Sequence, residues 1–369
     1  MKTVLLEPPI DLDALPESPA VFAIFPTEGR PYLARTSLLR RRLRRLLGPR
    51  ATLSRLLNLR DVAQRVEYRL TGSRLASSLT LYALARRYFP EDYQRLIRLR
   101  LSPFVKVLLA NQFPRTTVTI RLSSARAFQY GPFRSRPSAE RFEQEVLDLF
   151  QVRRCQEDLA VSPEHPGCIY GEMMRCLRPC QEVVGVEEYR SEVVRLVGFL
   201  DSGGRSLLDS VAVARDRCSE NLDFEEARRQ HQRYLRIEQV LKLRDELASD
   251  VDRLCGVAVS PGVEPGCVEL LFMLDGAWLP IVEFAVASTG KEMIPLDRRL
   301  RECVAGLTAP RITAKERAEH LSLLARWYYS SWRDAEWVAF SSLGDLPYRR
   351  LVRAISKAAA AVQTPLFGA

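Results

Sequence analysis

The chain has 369 residues, 47% hydrophobic and 27% charged. That is an ordinary globular balance, with room for two or three domains whose cores need no disulfide support. No apolar run approaches the ~18 residues of a membrane helix, and the opening MKTVLLEPPIDLDALPESP carries acids early, unlike a secretory leader; a cytoplasmic protein with no membrane partner is expected. The formal charge is +10, and only six of the 55 basic residues are lysine. A basic excess favours a polyanionic partner. A GC-rich genome would raise arginine without that purpose, so placement counts for more than the total. From Gly29 through Arg60 there are ten arginines and no acid.

In chain order, residues 20–35 predict a β-hairpin: the apolar run Ala20–Phe25, a turn at Thr27-Glu28-Gly29-Arg30, and a return strand from Pro31. A helix follows from about Ser37, with Leu38, Leu39, Leu43, Leu46 and Leu47 on one face and Arg40, Arg41, Arg44 and Arg45 largely elsewhere. Val66–Leu70 alternates like a strand and leads into a helix through about Arg87. Phe104–Leu109 and Thr116–Leu122 are β-rich, and Phe142–Phe150 is helical. A loop at 155–180 precedes a helical stretch, Val186–Leu247, interrupted near Ser202-Gly203-Gly204 and Asn221-Leu222-Asp223. Residues 250–290 turn β-rich, and from Ala314 helix and strand are mixed.

The eight cysteines form two sets. Cys155, Cys168, Cys176 and Cys180 lie in one loop, whereas Cys218, Cys255, Cys267 and Cys303 are scattered and read as small core residues. In a cytosolic chain such a cluster points to metal rather than disulfides. Four thiolates can hold zinc or an iron–sulfur cluster; the spacing has no CxxC knuckle and does not decide, and four reduced buried cysteines are the third reading. His165, His231 and His320 are isolated, and the sequence has no P-loop, no GxGxxG leading into a helix and no HExxH.

Three stretches, in order over residues 15–248, resemble the UvrC family of excision-repair nucleases. In the first, Leu15-Pro16-Glu17-Ser18-Pro19-Ala20-Val21-Phe22, Tyr32–Leu43, Glu67-Tyr68 through Pro90, and Gln129-Tyr130-Gly131-Pro132-Phe133 resemble the motifs of a GIY-YIG nuclease domain and the segment after it. In the second, Met174-Arg175-Cys176-Leu177-Arg178-Pro179-Cys180 resembles the family's G-R-C-x-x-P-C run. In the third, Leu222-Asp223-Phe224-Glu225-Glu226-Ala227-Arg228 resembles the start of the helical hairpin that docks on UvrB.

The resemblance implies a nuclease site in which a glutamate anchors one divalent metal, tyrosines position the water, and an arginine stabilises developing charge. Carried over by position, the first tyrosine is Phe22, the second Tyr32, the motif glycine Ala34, its lysine Arg35, its arginine Arg40, and the late asparagine falls near Gln94. The metal-binding glutamate falls on Ala76, and a methyl group cannot ligate a hard cation. Tyr32 and Arg40 are then catalytic remnants, no divalent metal is expected at the nuclease site, and incision is expected to be weak or lost. Arg35, Arg40, Arg41, Arg44 and Arg45 would contact DNA phosphates, against the alternative of a merely solvated basic face. The resemblance favours a [4Fe–4S] cluster on Cys155, Cys168, Cys176 and Cys180, with zinc as the alternative. It also implies that Phe224, Ala227, Tyr234 and Ile237 form one apolar face for UvrB or a UvrB-like protein; a generic amphipathic pair would look similar.

The expected fold is α+β: a GIY-YIG-like small mixed sheet with helices over 1–100, a linker and four-cysteine region over 101–200, a helical hairpin over 201–249, and over 250–369 an α/β region resembling part of the family's ribonuclease-H-like half. That domain's catalytic acids and the family's helix-hairpin-helix unit are not found in the 369 residues, and the chain reads as a shortened, chemically eroded relative. Three functions compete: a DNA-binding repair factor with an impaired nuclease, an active shortened endonuclease making one incision, and a metal-binding interaction module outside repair.

Overall fold

The computed structural model describes residues 1–6, 12–49, 57–123, 126–286 and 294–360. Strands β1 (Lys2–Leu5), β2 (Ala20–Pro26) and β3 (Tyr32–Thr36) are followed by helix α1 (Leu39–Leu47), β4 (Ala63–Leu70), α2 (Arg74–Tyr88) and α3 (Tyr93–Leu96). The sheet runs β1-β4-β2-β3, antiparallel throughout, with Phe22 opposite Ala34 on one side and Tyr68 on the other. Alternation sorts the side chains. Phe22, Ile24, Tyr32, Ala34, Val66 and Tyr68 face the α1 leucines 39, 43, 46 and 47, while Leu33 packs in a different core with Leu75, Ala76 and Leu79 of α2. The central strand β2 is therefore buried on both faces, which is why it reads as an unbroken apolar run.

The second unit contains β5 (Phe104–Val107), β6 (Thr116–Thr119), β7 (Phe128–Gly131), α4 (Arg136–Leu147), the cysteine loop with the short α5 (Ile169–Glu172), α6 (Val186–Asp201), α7 (Arg205–Glu220), α8 (Phe224–Leu241) and β8 (Ser249–Asp250). Its sheet order is β6-β5-β7-β8, so a strand that follows the α7–α8 hairpin closes the sheet begun before it. Leu207, Val211, Ile237 and Val240 of that hairpin share one core with Phe142 of α4 and Tyr189, Leu196 and Phe199 of α6. Packing thus groups 201–249 with the residues before it.

The third unit has β9 (Cys255–Pro261), β10 (Cys267–Leu274), β11 (Ala277–Trp278), β12 (Val282–Ala285), α9 (Leu296–Ala305), α10 (Ala314–Tyr328), β13 (Glu336–Phe340) and α11 (Tyr348–Ala360). The strands run β11-β10-β9-β13, with β12 also on β10. All strand pairings among the described residues are antiparallel, and the fold is α+β. No described helix is long and apolar enough to cross a membrane.

Helix α2 joins the first unit to the third. Its N-cap Ser73 accepts the Ala76 N–H at 3.0 Å. Just before it, the Gly72 N–H reaches Glu269 Oε1 at 3.3 Å, and a Cβ on Gly72 would lie 2.1 Å from the Pro261 carbonyl oxygen, so only glycine lets the backbones approach this closely. The Arg74 N–H donates to Asp334 Oδ2 at 2.6 Å. Further along, the buried Glu319 of α10 accepts the hydroxyls of Tyr82 and Tyr93, each at 2.6 Å, and the amide of Gln94. Arg86 pairs with Glu316. His320 accepts the Trp278 N–H on Nδ1 at 3.0 Å, and burial pulls its pKa down to about 4.

Glu269 is 1% exposed, its Oε2 has no hydrogen-bond partner, and burial pushes its pKa up to about 7, with Arg69 opposing and Glu283 and Asp334 adding to the rise. A carboxyl whose pKa is raised by folding binds more protons folded than unfolded between its ordinary value and the raised one, so stability falls as pH climbs through that window. Denaturant melts at about pH 5.5 and about pH 8.5 should show Glu269→Gln, which keeps an acceptor for Gly72, gaining stability relative to the wild type at the higher pH; the buried His320, whose lowered pKa acts with the opposite sign, is common to both chains. An unchanged pH dependence in the variant would mean that Glu269 does not cause it.

Candidate nucleic-acid face and four-cysteine loop

The five arginines expected at DNA divide between two faces of the first sheet. Arg35 alternates with Tyr32 and Ala34 along β3 and so emerges on the α2 side, where its Nη1 lies 3.4 Å from Ser78 Oγ. Partial desolvation, with Arg326 and Arg74 close by, draws its pKa down. Arg40, Arg41, Arg44 and Arg45 sit on α1, across the sheet.

Two of those four are held by the segment before β2. Arg40 Nε donates to the Leu15 carbonyl and lies 3.7 Å from Glu17, and Arg44 pairs with Asp13, whose carboxyl it holds below the usual range. Arg41 and Arg45 are exposed and take part in no ion pair among the described residues. Arg50 and Arg55, counted in the basic run, lie outside the described residues. The acids that temper this helix come from positions 13 and 17, which a count over 29–60 does not see.

Around the positions expected to be nuclease remnants, Phe22 is fully buried with its ring 6.2 Å from that of Tyr32. The Tyr32 hydroxyl accepts from Arg42 Nη2 at 3.0 Å; Arg42, not Arg40, is its partner. Ala76 is 0% exposed and belongs to the core that includes Leu321, Leu324 and Trp327 of α10. Gln94 is tied to Glu319, and Glu67 lies by Arg65 and the Tyr88 hydroxyl, each at 3.3 Å.

The cysteine loop is braced by its backbone. Met174, Arg178 and Glu182 adopt left-handed φ values of 56°, 55° and 54°, and Gln151 grips the loop through its side chain to Met174 O at 2.7 Å and through its carbonyl from the Leu177 N–H at 3.0 Å. Such strain in non-glycine residues persists only where surrounding structure fixes it. Cys176 and Cys180 are buried, Cys155 is half-buried and Cys168 is exposed. Arg153 Nη1 donates to Cys155 Sγ at 3.2 Å, and the Arg178 N–H to Cys176 Sγ at 3.4 Å. Burial pushes the Cys176 thiol up to about 11, with Cys168, Cys155 and Cys180 each adding; Cys180 rises for the same reasons. Cys176 and Cys180 thus each lie within electrostatic reach of Cys155 and Cys168, although no three Cys, His, Asp or Glu side chains among the described residues converge on one ion-sized point. Arg175, in the run that carries Cys176, pairs with Asp148 at 3.1 Å.

On the hairpin, the expected four-residue face divides along its length. Ile237 is fully buried in the middle core, Tyr234 packs at its edge, Ala227 is half-buried, and Phe224 is 66% exposed at the tip beside Leu222, 73% exposed. Glu269, Glu319, Arg98, Arg326 and Trp332 carried no signal in the sequence, because their partners lie on distant segments.

A family profile described as UvrC/Cho excinuclease, middle domain, matches residues 103–199, from β5 through α6 and including the cysteine loop. The UvrABC system protein C of Lachnospira eligens is 23% identical over 275 residues, covering 73% of this chain and 44% of that protein. Its counterpart in Clostridium acetobutylicum is 21% identical over 323 residues, 86% of this chain and 52% of its own length, and that of Methylococcus capsulatus is 25% identical over 267 residues, 72% and 43%. The chain spans about half the length of the curated relatives it matches. No solved structure gives a significant match. The chain is thus similar to an excinuclease middle domain over residues 103–199 and to UvrC proteins along most of its length.

Proposed function

We propose that this chain is a DNA-binding factor of nucleotide-excision repair that has exchanged its first nuclease centre for an inter-unit joint. The observation that carries the reading is Ala76. The position corresponding to the family's metal-binding glutamate is a methyl group, fully buried in a core shared with α10. A hydrated divalent cation needs oxygen ligands and room for water, and a closed apolar core supplies neither. The hydroxyl of Tyr32 is engaged by Arg42, and Arg40 is turned toward Leu15 and Glu17, so neither is left facing a substrate phosphate.

DNA affinity would then rest on the exposed guanidinium groups of Arg41 and Arg45 on α1, with Arg35 on the opposite face, which attract phosphate without cutting it. The four cysteines would carry a [4Fe–4S] cluster. Two of their sulfurs already receive N–H donors, a feature that stabilises thiolates and tunes such clusters. A single zinc with Zn–S bonds of about 2.3 Å needs sulfurs only about 3.8 Å apart, whereas a cubane holds its thiolates on separate irons and spreads them. A bound cluster would supply the positive charge that keeps Cys155, Cys168, Cys176 and Cys180 ionised. Partner docking, to UvrB or a UvrB-like protein, would use the hairpin tip at Leu222 and Phe224 rather than the whole stripe, since Ile237 is committed to the core.

One observation favours a residual endonuclease: Glu17 places a carboxylate 3.7 Å from Arg40. A lone exposed acid is a poor cation site, and Glu17→Ala separates the readings by abolishing any incision that depends on it. A colourless, zinc-holding protein indifferent to DNA would favour the interaction-module reading instead.

Binding of labelled DNA should weaken steeply with salt, while no Mg²⁺- or Mn²⁺-dependent nicking appears on damaged duplex in the presence of a UvrB protein; robust incision would refute the reading. Ala76→Glu should not restore cutting and should cost about 3 kcal/mol or more of stability, because it forces a carboxylate into an apolar core; a stable, metal-dependent nickase from this single change would contradict the buried-joint explanation. Anaerobically purified protein should be brown, with about four irons per chain, and Cys176→Ser should lose the colour and most of the iron.

A further inference from the structure

Where α2, the turn after α3 and α10 meet, a cavity of about 280 Å³ is lined by Arg35, Leu96, Arg98, Leu323, Arg326 and Trp332, among others. Its makeup is unusual for a seam between units. Three arginines line it, from β3, the post-α3 turn and α10, and no carboxylate residue lines it among the described residues. Arg98 is held in a left-handed conformation at φ 51°, and its carbonyl accepts from Arg326 Nη1 at 3.3 Å, which ties the Arg326 side chain to the backbone at Arg98. Asp334, the acid next in sequence to the Trp332 wall, is spent on the Arg74 N–H and the Trp327 indole N–H. The remaining surface is apolar, and Leu96 is 47% exposed.

Clustered like charges beside exposed apolar surface are costly on their own. A ligand carrying an anion and a flat apolar face would relieve both costs at once: phosphate on the guanidinium groups, a base against Trp332 and the leucines. The volume lies at the lower edge of ligand pockets, about 300–1,000 Å³, enough for one nucleotide and too small for duplex. We propose that this cavity binds a single unstacked nucleotide of a DNA strand, with Arg35, Arg98 and Arg326 on its phosphates and Trp332 on its base. The inference rests on the DNA-binding reading for its ligand. It goes beyond that reading in assigning single-strand preference, and in giving the third unit a direct part in binding.

Of the four tryptophans, Trp278, Trp327 and Trp337 are at most 8% exposed, so the half-buried Trp332 should dominate any ligand-induced fluorescence change. The full chain is titrated with a short oligo(dT), a duplex of equal length, dTMP and inorganic phosphate. Oligo(dT) should quench the emission, and Trp332→Phe should remove the quench. By anisotropy with labelled oligo(dT), Trp332→Leu should weaken binding about tenfold. Arg326→Gln and Arg98→Gln should each weaken binding and lower the slope of log K against log salt by about 0.7. Duplex affinity should change much less, and Arg298→Gln on α9 should change neither. Arg98 lies outside any helix, so it serves if the Trp332 variant misfolds.

Normal duplex binding with oligo(dT) affinity unaltered in the Arg98 and Arg326 variants would overturn the pocket while leaving the DNA-binding reading intact. Loss of duplex affinity equal to that of single strand would reduce the site to a general basic patch and overturn the assignment. Competition by dTMP as effective as by oligo(dT) would point to a free nucleotide and overturn the strand assignment, as would binding of inorganic phosphate alone with no dependence on Trp332. A wild type that binds no DNA at all would sink both proposals.

Discussion

The arrangement depends on one buried carboxylate. Glu319 of α10 accepts the hydroxyls of Tyr82 and Tyr93 and the amide of Gln94, three donors from the first unit on one acceptor in the third. Buried donors left without an acceptor cost about 1–3 kcal/mol each, so the network is strict about where α2 and α3 may sit. Helix α2 is thereby held with Leu75, Ala76 and Leu79 inside a shared apolar core. On the proposed reading, the surface on which a GIY-YIG enzyme would hold its metal is a packing surface here, and alanine suits position 76 because an unpaired carboxylate there would be buried beside Leu321 and Trp327.

The same logic of absorbed parts runs through the middle unit. The α7–α8 hairpin gives its inner face to the core of α4 and α6, and β8 returns to complete the sheet. What it leaves outside is a tip carrying Leu222 and Phe224. The cysteine loop hangs from the same core, with Gln151 gripping it on one side and Tyr189 packed beneath Phe113. The scaffold around the four thiols is therefore rigid, whatever they hold.

Local patterns in the sequence were enough to place most elements. The Ala20–Phe25 run, the glycine turn at Gly29 and the leucine spacing in α1 each specify an element from neighbours a few residues apart, and the breaks at Ser202-Gly203-Gly204 and Asn221-Leu222-Asp223 fall where helices end. Helix α4 begins at Arg136, ahead of the apolar signal at Phe142, because Ser135 caps it from a polar stretch. The site was less legible. Spacing brings Cys176 and Cys180 together, but their buried positions depend on Tyr189 and the left-handed turns. The α1 arginines look unopposed within their own stretch, yet Asp13 and Glu17 fold back on them. The Arg35–Arg98–Arg326 cavity is built from three segments spread across nearly 300 residues, and no periodicity connects them.

If the ligand position has become a joint, the first unit holds no divalent cation. Titration of the full chain with Mn²⁺, followed by electron paramagnetic resonance of the free ion, tests this without relying on any substrate. The expected result is that added Mn²⁺ stays free apart from weak, salt-sensitive association. A stoichiometric site that is lost in Glu17→Ala or Glu67→Ala would contradict the account and restore a metal centre to this half of the molecule.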